Sequence, residues 1–189
     1  MTPDDFSKHF DLASADADQA LVEYGRLDPM YLVVDHKGMG QLVGADNSTP
    51  ERKEASWELV KLLAVAADAE LVLSRAEAWI VLGDPVPGVA PSQSDRRREV
   101  ITVFASARID GRIVSRMSLR EISRGPDGKP TGTVPVELPD GDDGNGLEGP
   151  MAQLLPPRPP TAAERRAARA TIERATKRLS KGKSAFARH

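Results

Sequence analysis

Asp110-Gly111 stands between two β-rich stretches, 98–109 (REVITVFASARI) and 112–123 (RIVSRMSLREIS). An Asp-Gly pair in that position marks a two-residue hairpin, because both central residues of the favoured turn take positive φ. The two stretches are therefore expected to pair antiparallel, and a hairpin of that length commits the chain to a sheet. Residues 70–82 (ELVLSRAEAWIVL) add a further strand, and 133–138 (TVPVEL) reads as an edge strand, since Pro135 cannot donate a ladder hydrogen bond. Upstream, MYLVVD from Met30, a turn at Asp35–Gly38 and a return through MGQLVG form another hairpin.

Between these hairpins lies one helix. Ser48 supplies a hydroxyl cap, Pro50 falls in the first turn and Glu51 follows Ser48 by three residues. Ala55, Leu59, Leu62, Leu63 and Ala66 recur at helical spacing, so this face of 50–67 is expected to pack on the sheet. The order β-β-α-β-β-β, with a possible sixth strand, defines an α+β fold: a mostly antiparallel sheet with one helix packed on it.

Charge divides the chain differently. Residues 151–189 hold ten Lys/Arg against Glu164 and Glu173, a balance of +8, whereas residues 1–150 hold 16 Lys/Arg against 26 Asp/Glu, a balance of −10. The overall −2 thus conceals an acidic body and a basic tail, an arrangement suited to a negatively charged partner. Four segments are expected: an acidic helical arm over 1–29, an α+β body over 30–139, a Gly/Pro linker over 140–160 and a basic helical tail over 161–189. In the arm, Ser14 is read as the cap of a short helix reaching Arg26, with Ala17, Leu21 and Tyr24 on one stripe. In the linker, DGDDGNG has oxygen donors but places Gly144 where a calcium loop needs a ligand. PPRPP (156–160) reads as a stiff spacer.

In the tail, Thr161 and Glu164 form a capping box opening a helix to about Ser180. Ala168, Ile172, Ala175 and Leu179 make a narrow apolar stripe, and Arg165, Arg166, Arg169, Arg174, Lys177, Arg178 and Lys181 occupy the remaining circumference. That pattern suits a helix that contacts phosphates, or one that lays its stripe on an acidic protein surface. Residues 151–180 contain no aromatic side chain, so base stacking has no support and any nucleic-acid contact is expected to be nonspecific. A solvated, charge-rich helix is the plainer reading of the same residues.

The body offers two further candidates. Arg75, Glu77 and Trp79 alternate along a strand and share a face, which suggests a binding surface or a cross-strand ion pair beside a half-buried indole. Arg96, Arg97 and Arg98 enter the next strand and could hold an anion or form surface salt bridges. A metal-dependent hydrolase or nuclease using Glu77, Asp95 and Glu99 is the enzymatic alternative, although the acid followed by Glu-x-Lys on paired strands is missing.

No cysteine is present, which excludes disulfides, thiolate catalysis and Cys-ligated metals. His9, His36 and His189 lie far apart, so neither a histidine metal site nor a catalytic triad is expected. No phosphate-binding glycine loop occurs, and no cofactor is expected. The acidic opening MTPDDFSKHFD lacks the basic-then-apolar order of a signal peptide, and no apolar run has membrane-spanning length. A cytoplasmic protein without membrane contact is expected.

Residues 30–125 resemble a group of uncharacterised small proteins encoded in bacterial, phage and prophage genomes. The likeness lies in the hairpin, the charged helix, the E-A-W strand (Glu77-Ala78-Trp79) and P-S-x-S-D-R-R from Pro91 to Arg97. This chain departs from it by placing Arg75-Ala76 between Ser74 and E-A-W. The resemblance implies a mobile-element setting and carries no catalytic residue. The leading expectation is a non-enzymatic binding protein whose basic helix contacts nucleic acid or an acidic protein surface. A self-assembling protein or homo-oligomer whose acidic arm pairs with its basic tail is the remaining alternative.

Overall fold

The computed structural model describes residues 1–82, 87–136 and 153–186, with the side chains of the last helix described as far as Lys177. In chain order the elements are α1 (Pro3–Tyr24), β1 (Met30–Asp35), β2 (Gly40–Gly44), α2 (Pro50–Ala67), β3 (Ala69–Val81), a short 3-10 turn (Pro91–Gln93), β4 (Arg97–Ile109), β5 (Arg112–Arg124), β6 (Pro130–Pro135) and α3 (Ala162–Phe186). The fold is α+β. Its six strands form one antiparallel sheet in the order β2-β1-β3-β4-β5-β6.

The β4–β5 hairpin turns at Asp110-Gly111, whose φ values of 49° and 77° match the positive-φ turn expected there. The last strand starts earlier than 133–138. It spans Pro130–Pro135, and beyond it Val136 N–H still donates to Leu119 O at 3.0 Å.

Helices cover both faces of the sheet, not one. Alternation along paired strands puts Val34, Leu71, Leu73, Ile101, Val103, Ala105 and Ala107 on a common face, where they pack with Phe6, Phe10, Ala17 and Leu21 of α1. Tyr31, Val33 and Val72 point the other way and meet Val60, Leu63 and Ala64 of α2.

Residues 1–29 are thus no loose arm. The helix begins well before Ser14: Thr2 Oγ1 accepts from Asp5 N–H at 3.1 Å and Pro3 occupies the first turn. Ser14 sits mid-helix with its hydroxyl turned back to the Phe10 carbonyl at 2.9 Å. Helix α1 stops at Tyr24, where Gly25 adopts φ 76° and donates its N–H to Leu21 O.

The cap of α2 also shifts by one residue. Ser48 donates its hydroxyl to Asp46 at 2.6 Å, so Thr49 takes the cap and accepts from Arg52 N–H. Of the residues expected inside, Leu63 and Ala66 are buried, as are Val60 and Ala64, with Trp57 and Ala67 partly buried, while Leu59 is 38% exposed. Ala55 is exposed as well. The helix is apolar over much of its last three turns, so spacing alone did not select the packed face.

The 140–160 linker lies outside the described residues as far as 152. The remainder is seated in the fold: Leu154 and Leu155 are buried on the α2 face, and the Arg108 guanidinium donates to the Pro156 and Pro157 carbonyls at 2.6 and 3.3 Å. No helix among the described residues is long and apolar enough to cross a membrane.

If α1 is integral to the core, truncating Phe10 to Ala should cost about 3–5 kcal/mol, the usual range for a buried phenylalanine. Leu12→Ala, on the exposed side of the same helix, should stay within about 0.5 kcal/mol. Urea denaturation of both variants measures the difference.

Candidate functional site

On the α1 face, the sheet presents arginines and the helix answers with carboxylates. Arg75 of β3 pairs with Asp16, while on β5 Arg116 meets Asp11 at 3.3 Å and Arg120 meets Asp18 at 3.0 Å. Thr133 of β6 donates its hydroxyl to Asp18 at 2.7 Å, and the Arg116 guanidinium lies 4.4 Å over the Phe10 ring. Three of the six acids of α1 are therefore paired with the sheet beneath them. Helix α3 belongs to the α2 side, so within one chain the acidic helix and the basic helix occupy opposite faces.

Arg75, Glu77 and Trp79 do share a face, as their spacing requires. Their partners differ from a simple cross-strand pair. Glu77 accepts from the Leu27 N–H just past α1, fixing the chain's exit from that helix. Glu99, diagonally adjacent to Glu77, forms a two-pronged pair with Arg124 at 2.6 and 2.8 Å. That bond raises Arg124 above its ordinary pKa, with the Glu99 hydrogen bond as the main cause. Trp79 is 42% exposed and carries the Arg97 guanidinium 5.1 Å from its ring.

The three adjacent arginines do not converge. Arg96 donates to Leu82 O at 3.0 Å and Arg97 to Ser92 O at 3.1 Å. Arg98 points to the opposite face and pairs with Glu121 at 3.1 Å. They brace the β4 entrance from three directions, which is a poor geometry for gripping one anion. Asp95 lies in the turn before β4, off the strand that carries Glu99. Among the described residues, no three His, Asp or Glu side chains come together as a metal site.

The basic helix is anchored at its start. Thr161 Oγ1 accepts from Glu164 N–H at 3.3 Å, and Glu164 accepts from Thr161 N–H at 2.7 Å, the reciprocal capping box. Arg158 adds two bonds to the Glu164 carboxylate at 2.7 and 3.0 Å. Together these hold the Glu164 carboxyl at about 2, with the Arg158 hydrogen bond the largest contribution.

Two arginines that looked available for a partner are engaged within the fold. Arg165 bonds Asp68 at 2.8 Å, and Arg169 donates twice to Ala66 O at 3.1 and 3.0 Å. Both sit at the C-terminal end of α2, where unpaired carbonyls and the helix dipole favour cations. Buried Ala168 and part-buried Ile172 lie on the same side of α3.

Counting about 100° per residue, Arg166, Arg174, Lys177 and position 181 fall within roughly 80° of one another on the side away from that docking. Arg166, Arg174 and Lys177 are exposed, and Arg174 also braces its own helix through Ala170 O and Thr171 Oγ1. From 166 to 181 the stripe is about 22 Å long. Arg178 falls on its flank by the same spacing. The side chains of Arg178 and Lys181 lie outside the described residues.

No family model, curated protein or solved structure matches this chain.

The Glu164 carboxyl sits at about 2 in the fold against 4.5 ordinarily, so it binds fewer protons folded than unfolded. Its contribution is present above pH 4.5 and disappears as pH falls toward 2. The first turn of α3 should therefore loosen across that window, whereas an Arg158→Ala variant should loosen at higher pH. Amide exchange at Arg165 and Arg166, followed by NMR, reads this directly.

Proposed function

We propose that this protein is a non-enzymatic binding protein whose helix α3 grips the backbone of nucleic acid without reading its sequence. The observation that carries this reading is the outer stripe of Arg166, Arg174 and Lys177, continued by position 181, on a helix whose inner side is spent on docking. On the sheet, five arginines, Arg75, Arg98, Arg116, Arg120 and Arg124, each meet a carboxylate. Helix α3 holds eight Lys/Arg against two Glu, one of them, Glu164, tied to Arg158. Positive charge in excess of local acids is thus concentrated on α3.

The anchoring supports the reading in a second way. A cationic side chain on a floppy tail loses conformational freedom on contact, whereas one on a docked helix has its backbone already ordered. The stripe's length suits several successive phosphates along one strand, and its lack of aromatics suits contact with the backbone alone. The resemblance to phage- and prophage-encoded proteins adds a setting, mobile-element biology in the cytoplasm, in which nucleic acid is the abundant polyanion.

Fluorescence anisotropy of the full chain with a short DNA duplex and a single-stranded RNA tests the proposal. With about four phosphate contacts, log affinity should fall against log salt with a slope of roughly −3 to −4. Replacing Arg166, Arg174, Lys177 and Lys181 together by Gln should abolish binding and leave the melting temperature nearly unchanged. Affinity that survives the quadruple variant refutes the assignment to α3. Failure of the native protein to bind either probe at low salt would shift the stripe's role to an acidic protein surface.

A further inference from the structure

The two edges of the sheet are treated differently. At the β6 edge, Val136 N–H reaches Leu119 O, so antiparallel alternation turns positions 133 and 135 outward. Pro135 occupies one of these positions and has no N–H to offer a further strand. At the β2 edge, the bonds Asp35 N–H to Met39 O and Ala45 N–H to Pro29 O fix the same alternation. Met39, Gln41, Val43 and Ala45 face β1, while Gly40, Leu42 and Gly44 direct their N–H and C=O groups to the open side. This edge has no proline, charge or bulge, the devices that ordinarily protect one, and four of its five residues are exposed.

We propose that two copies of this chain pair through β2, antiparallel and centred on Leu42, to form a continuous twelve-stranded sheet. A two-fold axis through Leu42 brings together the same three outward residues, Gly40, Leu42 and Gly44, from each chain. That axis makes Leu42 a hydrogen-bonded pair with its own copy and sets each Gly40 against the other chain's Gly44. Such pairing uses all the outward N–H and C=O groups of the strand. A Cβ on Gly40 would meet Leu32 Cδ1 at 3.0 Å, so glycine there also satisfies a contact within the chain. Gly44 has open space around its missing Cβ and φ in the ordinary range, leaving close approach of another backbone as its use.

Side chains support the same partner. Leu42 is 67% exposed on the α1 face. It borders an open, mostly apolar cavity of about 500 Å³ between α1 and the β1–β2 hairpin, lined by Leu12, Met30, Leu32 and Leu73 with His9 and the Asp16–Arg75 pair at its polar side. Pairing about Leu42 would join the two cavities into one apolar trough, with Leu42 of each chain covering the other. A second copy brings an uncharged edge of the same kind, so each exposed Leu42 is met by an apolar side chain and the flanking positions by glycine. The two-fold axis is perpendicular to the sheet, so both α3 helices end on the same side of the pair. This pairing does not rest on the nucleic-acid reading, although it would make any such contact bivalent.

Sedimentation velocity of the full chain over roughly a hundredfold range of concentration tests the pairing. A five-residue ladder is a small interface, so a reversible dimer is expected: twice the mass of one chain when concentrated, falling toward one on dilution. Leu42→Lys sets like charges opposite each other across the axis, and Leu42→Pro removes the central outward donor while leaving every β1–β2 bond intact. Both variants should sediment as single chains with unchanged far-UV circular dichroism. A native protein that stays single throughout overturns the proposal, and so does a dimer that persists in Leu42→Lys. The latter variant decides the matter even if Leu42→Pro fails to fold.

Discussion

Helix α1 lying on the central strands is the constraint from which the rest of the arrangement follows. Ala17 and Leu21 are fully buried, and Phe6 and Phe10 extend the same stripe along the helix. Without α1, the apolar face built by Leu71, Leu73, Ile101, Val103 and Ala105 would stand open to water. Seating that stripe brings Asp11, Asp16 and Asp18 down beside Arg75, Arg116 and Arg120. Each surface pair contributes little by itself. Their value lies in orientation, since hydrophobic contact is non-directional and charged rims favour one placement of the helix over its neighbours. Because that face is occupied, α2, the Leu154–Leu155 segment and α3 gather on the other side.

Much of the sheet was legible because its signals are local. Asp110-Gly111 specifies its turn through backbone geometry, and Pro135 marks an edge through a missing donor, so both could be read without knowledge of distant residues. The α1 layer was harder. Ser14 has the chemistry of a cap, but Thr2-Pro3-Asp4-Asp5 has it too, and the deciding residues are Phe6 and Phe10, whose spacing continues the Ala17–Leu21 stripe. The α2 face was legible only in part for a related reason: Leu63 and Ala66 are inside, but Leu59 and Leu62 compete with Val60 and Ala64, and only tertiary packing resolves a helix that is apolar on several sides.

The candidate site divides along the same line. The capping box of α3 and its cationic character are sequence properties and appear as expected. Which cations face outward is a tertiary property, decided by the C-terminal end of α2. Arg165 and Arg169 are chemically equivalent to Arg166 and Arg174 until Asp68 and the Ala66 carbonyl are placed beside them. The arginine series on β5 carried a readable signal, since Arg112, Arg116, Arg120 and Arg124 fall at every fourth residue and must share a face. Nothing local shows that Asp11 and Asp18 of α1 receive Arg116 and Arg120, or that Glu99 receives Arg124.

Pro135 has a consequence for how large an assembly of this fold can become. A sheet whose edges both accept strands can add copies without limit, the route to fibres. A sheet that accepts at β2 and refuses at β6 has only one growing end per chain, and joining two such ends consumes both. An assembly that grows through β2 alone would therefore stop at two chains. One imino ring on the far side of the sheet thereby removes a donor from the second edge, and weighs against growth there even with neither a charge nor a bulge guarding β2.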